Sequence, residues 1–441
     1  MQLSMPVPIL RIAEELHLAG YEAYAAGESV RDSILGLAHQ ELKIITDAPA
    51  EMVGVLFDRV YPSPEDGVSL TVFIDQIAVA VTCLQKRRGS ALDLSAALIF
   101  RGFTADSLCY DPFSGQLIDP WRVSPALHSG VGIIQAAGDP VSRFQDDPSL
   151  LLKAFYLMKR FDDAGAKWRV EPGTRDALAR CASLIGALPQ GKLAYQLDRI
   201  IVGRRPDLYF GEMLDSGVLK HLLPELADTF GIAESGCRIK DVFDHTMMVV
   251  KKIRPELHLR WAALLHDIGK PHCISFEGKS VHFYGHQVIG AVISRRILRR
   301  LTYSEEFVKR VSFLVLHHMY PTPRTRKAVR RFVAKIGLRN LGDLLELRRA
   351  DIMGGKYKNI GSLEHFKREL EAVLFELPPF SLKNLDIDGY DVMKALGAKP
   401  GPQVGGALRF LLERVEENPQ LNHKETLIKI LQEEFISTTI S

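Results

Sequence analysis

The sequence predicts an α+β protein, with a small mixed α/β head followed by a long helical neck, body and tail. Three observations lead there. Strand-like runs are confined to the first third of the chain, where LTVFID and IAVAVTCL carry the β-branched and aromatic enrichment of strands. From about Asp146 onward, apolar residues recur at three-to-four spacing through segment after segment. The length of 441 residues, 46% hydrophobic and 25% charged, supplies cores for two to four domains.

The elements follow in order. PVPILRIAEELHLAG reads as an amphipathic helix closed by Gly20. HQELKIITDAP reads as a strand ending in a turn, and DPFSGQLIDPW as a hairpin with a Ser-Gly turn. The helical segments are SLLLKAFYLMKRF, KLAYQLDRIIV, LRWAALLHDIGK, HQVIGAVISRRILRRL, EEFVKRVSFLVLHHM, DLLELRRADIM and HFKRELEAVLFEL. Pro and Gly clusters near Pro321–Pro323 and Lys399–Pro402 mark loops. No internal repeat and no low-complexity segment interrupts them.

Composition narrows the class. No apolar run is long enough for a membrane helix. MQLSMPVPILRIAEEL lacks the basic and small-residue features of a signal peptide. Cys83, Cys109, Cys181, Cys237 and Cys273 form no CxxC pair, so reduced thiols in a cytoplasm are expected. The net charge is only +3, yet Lys279 to Arg339 holds fourteen Lys or Arg against Glu305 and Glu306. That local +12 favours an anionic partner, RNA or a nucleotide, with no DNA specificity implied. Arg295, Arg296, Arg299, Arg300, Arg324, Arg326 and Lys327 are the candidate phosphate contacts. A solvated helix face is the bland alternative for the arginine run, whose like charges fall at i,i+4.

The strongest local chemistry is LLHDIGKP, in which His266 and Asp267 are adjacent at the end of an apolar helix terminated by Gly269. Adjacent helical side chains diverge by roughly 100°, so this pair needs ligands from other helices. His245 in VFDHTMMVV and Asp351 in LRRADIMGG are the candidates. Imidazole and carboxylate together suit Mn, Fe, Co, Ni or Zn, with Mg possible. One ion or two can be held. If two, Asp267 bridges them and His286 with His317 or His318 completes the second site. Asp267 and Lys270 are the candidate catalytic groups, Lys270 neutralising substrate phosphate.

The His…His-Asp…Asp pattern resembles the HD superfamily of metal-dependent phosphohydrolases. A second resemblance covers essentially the whole chain. AYAAGESVRDSILG, ELKIITDAP, FRGFTADSLCYDPFSGQLIDPW, GDPVSRFQDDP and LDIDGYDVMKALGAKPGPQVG occur in the order found in bacterial tRNA nucleotidyltransferases and poly(A) polymerases. That resemblance implies a nucleotidyltransferase-like head over 1–135 and a helical neck over 136–235 that binds RNA or nucleotide. It further implies an HD domain over 236–360 and a tRNA-binding-like tail over 361–441, where PGPQVGGAL either presents amides to RNA or starts a helix.

Several positions depart from that family's pattern. The carboxylate pair that binds two magnesium ions there falls on Glu41 and Lys43, and the third acidic position on Ala80. The two-glycine turn reads Gly27-Glu28, and the Arg-Arg-Asp stretch reads Phe100-Arg101-Gly102. The base-selecting arginine is Leu150, and a Glu-Arg pair of the neck is Gly191-Lys192. Asp106 and Arg31-Asp32 read as structural. The expectation is therefore a metal-dependent phosphohydrolase or phosphodiesterase acting on a nucleotide or RNA end, on a scaffold whose transferase site is lost. The alternatives are a non-catalytic RNA-binding protein and an active nucleotidyltransferase.

Overall fold

A computed structural model describes residues 2–63, 69–84, 94, 98, 102–233, 241–277, 280–355, 359–375 and 382–435. Cys237, Lys279 and the Phe100-Arg101 departure lie outside them. The chain divides into two compact units. One comprises Met1–Phe230 with Ile297–Ser304, and the other comprises Gly231–Arg296 with Glu305–Ser441.

The first unit is built on a seven-stranded sheet. Its strands are β1 (Ala23–Ala26), β2 (Leu42–Thr46), β3 (Val60–Pro62), β4 (Ser69–Ile74), β5 (Ile77–Cys83), β6 (Cys109–Tyr110) and β7 (Leu117–Ile118). The spatial order is β3-β4-β5-β2-β1-β6-β7, and only β2 with β5 is parallel. The register of that parallel pair sets Lys43 directly beside Ala80. The β6–β7 hairpin turns through Asp111, whose carboxylate accepts from the backbone N–H groups of Phe113 and Ser114. Helix Val7–Leu18 lays Ile9, Ile12 and Leu16, all fully buried, against this unit, and the chain leaves it through Gly20 at φ +87°.

The neck opens with the short helix Pro140–Asp146 and continues in helix Leu150–Asp163, of which only Lys153 and Asp163 escape burial. A helix buried nearly all round belongs in a core. Its fellows are Pro172–Cys181, Gln190–Ile201 and Pro206–Asp215. The neck is not purely helical, because Val131–Ile134 pairs in parallel with Lys167–Val170.

The second unit is a helical assembly. Helices Val242–Lys252, Leu257–Leu265, Glu305–His317 and Leu338–Gly354 pack on one another through Val249, Trp261, Leu264, Val311 and Leu347, all buried. It also carries the hairpin Ile274–Glu277 with Ser280–Phe283 and an isolated bridge between Ala233 and Asp241. The tail keeps a core of its own around Val392, Ala407, Leu411, Val415 and Leu427. PGPQVGGAL starts the helix Pro402–Glu417, with Gly401 as its N-cap.

Candidate metal centre and head pocket

In the second unit four helices and a turn bring imidazoles and carboxylates together. His245 comes from Val242–Lys252, and Asp351 from Leu338–Gly354. His286 is the first residue of His286–Arg300, and His318 follows Glu305–His317. His266 and Asp267 lie just past the end of Leu257–Leu265. Side chains in a continuous helix would diverge there, but beyond the last helical turn His266 Nε2 comes to 3.1 Å from Asp267 Oδ2.

Two adjoining groups share Asp267. His245, His266 and Asp267 form the first, with His245 Nε2 3.0 Å from Asp351 Oδ1 and 3.7 Å from Asp267 Oδ2. Asp267, His286 and His318 form the second, at 3.3 and 3.7 Å from Asp267 Oδ1. The tautomers follow from the backbone. His266, His286 and His318 each present Nδ1 to a main-chain carbonyl, of Ala263, Phe283 and Val315, at 2.7–2.8 Å. With Nδ1–H donated there, each Nε2 of the neutral ring offers a lone pair. Those lone pairs face one another, with His286 Nε2 and His318 Nε2 3.3 Å apart. Converging acceptors of this kind suit a cation, and the donor set can hold a divalent metal.

Burial pushes the Asp267 carboxyl up, but His266, Lys270 and His286 outweigh it and hold the group well below the ordinary range. Asp351 is likewise opposed by burial and brought down to about 2 by His245 and His266. Burial keeps His318 below the usual imidazole value.

Two expected site residues, and one expected helix end, are placed differently from expectation. His317 is outside the cluster, its ring against Phe313 at 4.4 Å between centroids, so His318 alone of the pair faces the carboxylates. Lys270 is buried, with Nζ 2.6 Å from Asp267 Oδ2, so its charge is committed to that carboxylate and is not presented to a substrate. Gly269 does not end the helix. A Cβ there would lie well inside contact with the His286 carbonyl oxygen and 2.7 Å from the Gly290 nitrogen. It is small because two segments carrying ligands approach each other at that point.

The basic window does not act as a single face. Arg300 is held by both carboxylate oxygens of Glu225, at 3.0 and 3.1 Å, and Arg295 packs its Nε on Ser312. Arg296, Arg299, Arg324 and Arg326 are exposed, and Lys327 is half-buried.

The head holds a cavity of about 490 Å³. Gly27, at φ +64°, caps the helix Glu28–Leu35 and turns Glu28 into it. Glu41 Oε1 accepts from Arg199 Nη1 at 2.6 Å, and Glu41 Oε2 lies 3.0 Å from Lys43 Nζ. Glu28 is 3% exposed and lies 3.3 Å from Lys153 Nζ. Burial works to raise the Glu28 carboxyl, and Lys153, Arg31, Lys43 and Arg199 overcome it and hold it far below the ordinary range. Behind the cavity Arg31, fully buried, is paired with Asp32 and Asp106, and Arg160 joins it through Asp32. Lys153 links the cavity to this network through Asp106, and with Arg199 and Tyr156 it closes the cavity from the neck, which the sequence alone did not show. Leu150 and Lys192 line it as well. The two-ion carboxylate set that the resemblance implies is not what these residues present. The Lys43 ammonium stands beside Glu41, and the backbone of Lys43 pairs with that of Ala80.

Comparison with known proteins now places the chain. Residues 242–353 match the family described as HD domain, and residues 168–230 match the one described as probable RNA and SrmB-binding site of polymerase A. The chain is related to the tRNA nucleotidyltransferase family. It is 34% identical over 259 residues to a CC-adding tRNA nucleotidyltransferase of Thermus thermophilus, covering 55% of this chain and 58% of that protein. An A-adding tRNA nucleotidyltransferase of Deinococcus radiodurans is 35% identical over 260 residues, covering 55% and 59%. In both, the match spans a little over half the relative's length. A CCA-adding enzyme of Limosilactobacillus fermentum is 22% identical over 438 residues, covering 96% of this chain and 94% of the relative. The crystal structure of a Bacillus stearothermophilus CCA-adding enzyme in complex with CTP shares the fold, at TM-score 0.72 and 21% identity over 99% of each chain.

These relatives overturn the expectation of a phosphohydrolase on a scaffold whose transferase site is lost. They are enzymes named for adding nucleotides to tRNA. The physical error lay in treating each departure as a deletion. Glu28, Glu41, Lys43, Lys153 and Arg199 together line a charged cavity. Among the described residues, no helix is long and apolar enough to cross a membrane.

Proposed function

We propose that this chain works in the cytoplasm at the 3′ end of tRNA, with a nucleotide seated in the head pocket, and that nucleotide addition is its reaction. The observation that carries this reading is the pocket itself. Its volume, about 490 Å³, suits a nucleotide, and Lys192 with the ion-paired Lys43, Lys153 and Arg199 line it alongside Glu28, Glu41, Asp146 and Asp147. Labelled CTP or ATP, incubated with magnesium and a tRNA lacking its 3′-terminal nucleotides, should be incorporated. Glu41→Gln should abolish incorporation while leaving the fold intact. No incorporation under any divalent cation would sink the transfer step.

A second reading is favoured by one distance, Lys43 Nζ to Glu41 Oε2 at 3.0 Å. There the chain binds tRNA and nucleotide without transfer. Filter binding of tRNA and of CTP by a wild type that incorporates nothing would select it.

The second unit is proposed to hold a divalent transition metal on His245, His266, Asp267 and Asp351. A second ion would rest on Asp267, His286 and His318. Mn, Fe, Co, Ni and Zn fit the donors better than Mg, because imidazole is a poor ligand for the hardest cations.

A further inference from the structure

The stretch Ile297–Ser304 packs with the first unit, although the sequence on both sides of it belongs to the second. Ile297, Leu298 and Leu301 are its buried side. Two polar ties fix it there. Arg300 donates to both carboxylate oxygens of Glu225, at 3.1 and 3.0 Å. The Tyr303 hydroxyl donates to Asp198 Oδ1.

Between these ties the helix His286–Arg300 ends in a strained turn. Thr302 has φ +62°, which a β-branched residue adopts only under constraint. Its N–H donates to the Arg299 carbonyl, and the N–H of Tyr303 reaches back to the Leu298 carbonyl, both at 3.0 Å. This pair of bonds is the helix ending that glycine normally makes, built here on threonine. Strain at one residue persists only where the surroundings over-determine it, and the two ties do so. The turn brings Tyr303 to Asp198 and also comes close to the start of helix Gln190–Ile201. A Cβ on Gly191 would stand 3.5 Å from Thr302 Oγ1.

Asp198 and Arg199 are consecutive in that helix, so their side chains leave it roughly 100° apart. Asp198 meets Tyr303, while Arg199 enters the head pocket, with Nη1 2.6 Å from Glu41 Oε1. Lys192, Tyr195 and Gln196 of the same helix line the pocket as well. A rotation of the helix about its axis therefore moves all four together. We infer that Tyr303 is a positioning residue for the head pocket: by holding Asp198 it fixes the rotation of helix Gln190–Ile201, and so the reach of Arg199 to Glu41. The inference rests on the proposed nucleotide in that pocket only where it speaks of affinity.

The test uses the full chain as wild type, Tyr303→Phe, Arg199→Met and the double variant. Tyr303→Phe keeps the ring and removes one hydroxyl, and urea titration establishes that each form is folded. Equilibrium dialysis with labelled CTP reads affinity, and hydrogen exchange followed by mass spectrometry reads local opening. Tyr303→Phe should weaken CTP binding roughly three- to ten-fold, the factor that one hydrogen bond carries. It should also quicken exchange in Gln190–Ile201 and in Leu42–Thr46, the strand that follows Glu41. The double variant should bind CTP no more weakly than Arg199→Met, because two residues that act through one contact do not add. A structural role confined to its own helix end would quicken exchange around Leu298–Ser304 alone and leave CTP binding unchanged, which would overturn the inference. Equal weakening by Tyr303→Phe with and without Arg199 would overturn it too. A wild type that binds no CTP counts against the proposed function instead, and exchange in Gln190–Ile201 then decides whether Tyr303 positions the helix.

Discussion

Arg199, from the neck helix Gln190–Ile201, places Nη1 2.6 Å from Glu41 Oε1 at the start of β2. Its guanidinium also stacks over the Tyr156 ring at 3.8 Å, and Nη2 lies 3.7 Å from Glu28. One side chain thus balances two carboxylates of the head pocket. Arg199→Met keeps the stem but leaves both acids less compensated. Truncating one partner of such a pair costs more than the pair itself contributes, because a charge is left behind in poor solvent. The expected loss is about 2 kcal/mol of unfolding free energy, less than for a fully buried pair because Glu41 is 26% exposed. Lys43→Met, at a more exposed position, should cost under about 1 kcal/mol. Urea titrations of the two variants rank them, and the reverse order would show that Arg199 does not balance the pocket.

The metal centre makes a prediction that uses neighbouring histidines against each other. His318 Nε2 faces Asp267, whereas His317 lies against Phe313. Elemental analysis of protein purified with Mn, Co, Ni or Zn present should find metal in the wild type and in His317→Ala. It should find less in His318→Ala and little in Asp267→Asn. Metal added to stripped protein should raise the melting temperature, since an ion bound only by the folded state at a hundred times its Kd stabilises by about 2.7 kcal/mol. Equal metal content in His317→Ala and Asp267→Asn would refute the assignment.

How much of this was legible in the sequence depended on whether the information was local. HDIGKP, with His245 before it and Asp351 after it, pointed to residues that the fold brings together, because short motifs and apolar periodicity survive without the fold. The choice between His317 and His318 did not, since consecutive residues face directions roughly 100° apart and only packing selects one. Lys43 and Ala80 were visible as departures, and the β2–β5 register places them side by side. What no local pattern carried was Arg199, 158 residues from Glu41, reaching in from the neck. The parallel pair of Val131–Ile134 with Lys167–Val170 was hidden too, because four-residue strands framed by helices have too little alternation to register. Arg300 looks like a phosphate contact in the sequence, yet Glu225 holds it, because long-range partners leave no local trace.

Gly269 gives a prediction about distance rather than conformation. Its φ of −84° is open to any residue, but an added Cβ would overlap the His286 carbonyl and lie 2.7 Å from the Gly290 nitrogen. Both neighbours are backbone and cannot rotate away. Gly269→Ala should therefore push the start of helix His286–Arg300 from the cluster, costing about 1–3 kcal/mol as overpacking does. Metal bound per chain should fall, with the His286 group affected first. Gly285→Ala, where an added Cβ meets nothing but φ is +75°, is the comparison: it strains the backbone without crowding the ligands. If both variants lose metal equally, backbone strain and not close approach is the cause.

Acid should loosen the second unit through a group outside the metal cluster. Asp343 is buried and accepts from Arg310 Nη2 at 2.7 Å and lies 2.9 Å from His258 Nε2. Burial tends to raise its carboxyl, but the bonds from Arg310 and His258 outweigh burial and set it below the ordinary 3.8. A carboxyl depressed in the folded state binds protons more weakly there than in the unfolded chain. Its contribution is therefore complete above the unfolded value, near 3.8, and disappears as pH falls through the lower folded one. Asp343→Asn carries no charge to titrate. It should be less stable than wild type at neutral pH, and the difference between the two should shrink as pH falls below about 4. Unfolding followed by far-ultraviolet dichroism from pH 6 to pH 2.5, with metal stripped from both proteins, measures that difference. A gap that stays constant over the range would mean that Asp343 contributes through packing alone.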